Sequence, residues 1–133
     1  MKKTIFLLSL ITLLGYSGAY GQESDMSGDP DALFFHTDSL LSELQYNDQR
    51  WMAFLKGKNL LTGMYNLRSG EEDRQQPHDT DEVYYVIRGK AKLTAGGREE
   101  IVRPGSVLFV KAGVDHRFID IEEDLVLLVF FDQ

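Results

Sequence analysis

A chain of 133 residues is long enough for one domain with its own core and too short for two. Its formal charge is −7, from 21 acidic residues against 14 basic ones, which disfavours phosphate backbones and anionic lipid surfaces as partners. Cysteine is absent, and that excludes disulfide staples, a thiolate nucleophile, Cys-type zinc sites and a lipid-modified cysteine.

Lys2 and Lys3 precede the apolar run Ile5 to Leu14, and the small-residue stretch Ser17, Gly18, Ala19, Tyr20, Gly21 follows it. This order predicts a secretory signal peptide over residues 1–21, cut after Gly21. The apolar run is about half of the ~20 residues that a bilayer span needs and contains Ser9, which argues against a membrane anchor. Processing would leave 112 residues and move the formal charge from −7 to −9, because Lys2 and Lys3 leave with no acid. The expectation is an exported, soluble protein, periplasmic or extracellular.

Residues 22–32 are polar, with Gly28 and Pro30 and no apolar period, and read as a flexible tether before a domain over 33–133. Thr37 or Asp38 can cap a short helix carrying Leu40, Leu41 and Leu44 at helical spacing. Eight strands are predicted after it: Trp51–Leu55, Leu60–Leu67, Glu82–Arg88, Ala91–Ala95, Glu99–Val102, Ser106–Val110, Arg117–Ile121 and Leu125–Phe131. Gly96-Gly97 supplies a two-residue hairpin turn, and the absence of intervening helices rules out βαβ units. The fold class is therefore all-β, a sandwich or barrel of jelly-roll type with one short N-terminal helix. Strand parity points Tyr84 and Val86 inward and Tyr85 and Ile87 outward, so Tyr84 is a candidate pocket wall. Leu125–Phe131 has no polar member and should be covered on both faces, one by the core and the other by a second subunit, which predicts a homodimer.

Two groups of residues carry chemistry. In the first, Gly70, Gln76, His78, Glu82 and Gly89, residues 76 and 78 would share one face of an extended segment, and a turn over 79–81 would return Glu82 to it. In the second, Gly105, Gly113, His116 and Asp120, an imidazole ends a turn. Together they could place two His and one carboxylate around one point, a set suited to a divalent transition metal. His36 has no such frame and is assigned no role.

At these residues the chain resembles the cupin superfamily. The first cupin motif is met by Gly70, His78, Glu82 and Gly89, with Gln76 in place of a His; the second by Gly105, Gly113 and His116, with Lys111 for a Pro and Asp120 for an Asn. The resemblance, over roughly residues 50–131, implies a double-stranded β-helix barrel. It also implies a metal site of Gln76, His78, Glu82 and His116 holding Fe, Mn, Ni or Zn, with Gln76 the weakest ligand or an assisting group. Its functional range leaves open a metal-dependent oxygenase, isomerase or lyase acting on a small organic molecule, a non-catalytic module binding a sugar or other small ligand, and an oligomeric structural protein with a vestigial pocket.

Overall fold

The runs of β-branched and aromatic residues pair into one antiparallel six-stranded arrangement in a computed structural model of the chain, which describes residues 31–133. The predicted signal peptide and residues 22–30 of the tether lie outside the described residues. A helix, α1 (Thr37–Tyr46), precedes β1 (Trp51–Lys56), β2 (Leu60–Leu67), β3 (Glu82–Ala95), β4 (Arg98–Val102), β5 (Val107–Val110) and β6 (His116–Asp132). The strand order is β1-β2-β6-β3-β4, with β5 pairing the first half of β3. Among the described residues no helix is long and apolar enough to cross a membrane.

Six strands replace the predicted eight because two expected breaks are bends inside continuous strands. Gly89 has φ 93°, and a Cβ there would overlap the Asp124 carbonyl, so only glycine lets the two backbones approach. The register between β3 and β6 shifts repeatedly from Val86 to Lys92, which bends the pair without ending the ladder. The first half of β3 then runs beside β5 and the end of β6, and the second half beside β4 and the start of β6. The two halves of these long strands thus build the two layers of a jelly roll. The Gly96-Gly97 hairpin is as expected, with φ 55° and 77° joining Ala95 to its partner Arg98.

Side-chain parity divides β6. Leu125, Leu127, Val129 and Phe131 face the interior with Tyr84, Val86 and Phe118, where burying each large side chain contributes about 1.5–3 kcal/mol. Val126 and, less completely, Leu128 face outward and pack beneath Leu40, Leu41 and Leu44 of α1. The cover that the sequence analysis assigned to a second subunit is thus supplied at Val126 by the chain's own helix. That helix starts at Thr37, so neither Thr37 nor Asp38 is its cap: His36 stands at the N-cap without a side-chain bond, and the His36 carbonyl accepts the N–H groups of Ser39 and Leu40.

Candidate metal centre

Two loops have to meet before their side chains can. The segment 68–81 lacks regular structure, yet it is tied to the turn before β6: the His78 carbonyl accepts the Gly113 N–H at 2.7 Å, and an Asp81 carboxylate oxygen accepts the Ala112 N–H at 2.9 Å. Asp81 is therefore a clamp between the two loops. Glu82 opens β3 beside Val110 and Phe131, while His116 opens β6 beside Ala95, so their side chains meet across the interior.

His78, Glu82 and His116 converge there, each offering one ligand atom, with all three atoms within 4.8 Å of one another. Glu82 Oε1 and His116 Nε2 are 2.8 Å apart, and Glu82 Oε2 lies 3.9 Å from His78 Nε2. His116 Nδ1 is 2.7 Å from the Val114 carbonyl, which can only accept, so the hydrogen sits on Nδ1 and Nε2 is turned to the centre. Burial opposes a charge on His116, but the hydrogen bonds to Glu82 and Val114 outweigh it and raise its pKa above the ordinary imidazole value.

The donor set fits a cation. Glu82 Oε2 and His78 Nε2 are buried with no hydrogen-bond partner, although an unmet polar group in the interior costs roughly 1–3 kcal/mol. A buried His–Glu pair alone would account for Oε1 and His116, not for these two atoms. Two imidazole nitrogens and one carboxylate oxygen suit Fe, Mn, Ni or Zn and leave positions open for another ligand.

Gln76 is not gathered with the other three. It is exposed, and its amide reaches toward the Arg74 carbonyl at 3.4 Å. The parity argument fails because residues 71–78 carry no sheet ladder to enforce alternation. Its neighbour Gln75 turns inward instead, and Gln75 Oε1 accepts the Tyr84 hydroxyl at 2.9 Å. Tyr84 is fully buried, as parity requires, with its oxygen 3.0 Å from His116 Nε2; burial and the Glu82 charge push its pKa up, so the phenol stays protonated. Asp120 does not act at the centre but has φ 49° and an ion pair with Lys92 at 2.7 Å, while Arg117 forms a surface pair with Asp115.

A cleft of about 570 Å³ opens beside His78, with Trp51, Leu61, Tyr65 and Phe131 among its walls. Glu82 and His116 lie behind it, each 1 % exposed. The Trp51 ring lies over Gly63, where a Cβ would overlap it, and packs against Tyr65 and Phe131 at centroid distances of 4.8 and 5.8 Å. Burial, then the charges of Asp73 and Glu82, push the Tyr65 pKa up to about 12. Sequence reasoning missed this wall and Gln75; a glycine, Gly63, inside the strand that follows the single tryptophan was the available signal for the wall.

The family profile described as Cupin domain matches residues 63–131. An uncharacterised protein of Streptomyces coelicolor is 44 % identical over 97 residues, 73 % of this chain and 92 % of that protein. The solved structure of BH2720 from Bacillus halodurans superposes with a TM-score of 0.62 at 20 % identity, covering 80 % of this chain and 83 % of that one. DMSP lyase DddQ from Ruegeria pomeroyi DSS-3 has a TM-score of 0.55 at 20 % identity, over 60 % of this chain and 41 % of its own. At these identities the two structures establish a shared fold.

Proposed function

We propose that this protein, which belongs to the cupin-domain family, holds one divalent transition cation on His78, Glu82 and His116 and acts there on a small organic molecule admitted by the Trp51–Tyr65–Phe131 cleft. The observation that carries the reading is the pair of buried, partnerless ligand atoms, Glu82 Oε2 and His78 Nε2. The cation would supply Lewis acidity at a dry site, or redox chemistry if it is iron or manganese. The chain's own groups do the rest. Glu82 offsets part of the cation's charge, the Val114 carbonyl orients His116, His78 forms the boundary between centre and cleft, and the aromatic walls exclude water. The reaction class is oxygenase, isomerase or lyase. A non-catalytic module for a sugar or other small ligand is the second reading, favoured by the cleft itself.

Elemental analysis of protein purified without chelator, followed by a survey of oxygen consumption, tests the first reading. About one Fe, Mn, Ni or Zn per chain supports it; metal-free protein of unaltered fold supports the binding module. Export to the periplasm or beyond belongs to the same proposal, on the strength of Lys2, Lys3 and Ile5 to Leu14, and the intact mass of exported protein beginning at Gln22 would support it.

A further inference from the structure

Asp73 is a buried carboxylate in the irregular segment, 5 % exposed, and lies outside the group formed by His78, Glu82 and His116. Its Oδ2 accepts the Phe118 N–H at 2.8 Å and the Gln75 side-chain amide at 2.7 Å; its Oδ1 accepts the Gln75 backbone N–H at 3.2 Å. Because the carboxylate faces only donors, the NH₂ end of Gln75 has to point at it, and Gln75 Oε1 has to point the other way, at Tyr84. That oxygen can only accept, so the phenol donates to Gln75, at 2.9 Å. Toward the centre the Tyr84 oxygen then turns its lone pairs, with His116 Nε2 3.0 Å away and the Glu82 carboxylate close enough to act on the phenol.

A cation on His116 Nε2 would occupy the position of any hydrogen there. The Tyr84 oxygen, fully buried, would then offer its lone pairs to a donor on whatever ligand shares the centre. We propose that Asp73 and Gln75 fix Tyr84 as a hydrogen-bond acceptor toward the centre, which selects small ligands carrying a hydroxyl hydrogen beside their coordinating atom, the alcohols and hydroxy acids, over anions that only accept. This rests on the metal reading above. Gln75 is a positioning residue, acting through Tyr84.

The probe is full-length protein loaded with Co²⁺ at fixed pH, its visible absorption titrated separately with glycolate and with azide. In Gln75→Met, which keeps the length of the side chain and removes its strong acceptor, the phenol is free to donate inward. Azide should then gain about fivefold relative to glycolate, the scale of one net hydrogen bond. Tyr84→Phe should weaken glycolate about fivefold and leave azide within twofold. In the Tyr84→Phe background, Gln75→Met should no longer move the ratio, whereas a merely structural strap would move it in both backgrounds. With one Co²⁺ bound per chain, a ratio unchanged in Gln75→Met, or the same shift persisting without the phenol, overturns this inference alone. Failure to bind Co²⁺, or binding unaffected by His78→Ala, overturns the metal reading and this inference together.

Discussion

Glu82 Oε1 stands 2.8 Å from His116 Nε2, and both side chains are 1 % exposed. Each is the other's partner in the metal-free protein, and a cation competes with a proton for the same nitrogen. This relationship sets the first expected outcomes.

In protein stripped of metal, the raised pKa of His116 means that the folded state holds its proton more tightly than the unfolded chain does. The stabilisation is fully present below the ordinary imidazole value of about 6.5 and is lost as pH rises through the folded-state value. Metal affinity should run the opposite way and strengthen over that window, because the cation needs Nε2 without its proton. Thermal denaturation against pH, with chelator and with Zn²⁺, reads both slopes; parallel slopes would contradict the shared nitrogen.

His116→Ala and His78→Ala should both weaken metal binding more than about a hundredfold while far-UV circular dichroism stays near wild type, since the apolar core holds the barrel. Their effects on metal-free stability should differ. Removing His116 strands the buried Glu82 carboxylate and should cost about 3–5 kcal/mol, whereas His78 is 31 % exposed and should cost less than about 1 kcal/mol. Urea denaturation of each variant in chelator measures the difference.

Replacing Gln76 should do little. The exposed amide is directed at the Arg74 carbonyl, so Gln76→Ala should leave metal affinity within about twofold of wild type. A loss of tenfold or more on calorimetric titration would return Gln76 to the ligand set.

Gly63→Ala should push the Trp51 ring off the sheet, because the added Cβ overlaps it. The expected cost is about 1–3 kcal/mol, and emission from the chain's single tryptophan should shift to the red as the ring gains exposure. An unshifted spectrum would mean that Trp51 does not depend on this glycine.

A homodimer is proposed through the outer face of β5 and β3, where Tyr85 pairs with Val107 and Val83 with Phe109, leaving Val107 68 % and Phe109 58 % exposed on an edge strand. Sedimentation at micromolar concentration should give twice the chain mass, and Val107→Glu with Phe109→Lys should give the monomer. A monomeric wild-type protein would count against the interface.

The amino-acid pattern by itself determined the β class, the inward placement of Tyr84 and Val86, the Gly96-Gly97 hairpin and the residue types of the centre. Each depends on a local rule: period-two alternation, positive φ at a tight turn, or motif spacing in the resemblance. Those rules lose force where no ladder constrains the chain, and that is why residues 71–78 place Gln75, not Gln76, inward. Only the tertiary structure decided that α1 covers Val126 and that Gly89 bends one long strand instead of ending it. It also turned Asp81 into a clamp and left Glu82 Oε2 and His78 Nε2 facing each other without partners. These are contacts between segments tens of residues apart, set by how two layers close on each other, and no local pattern specifies that closure.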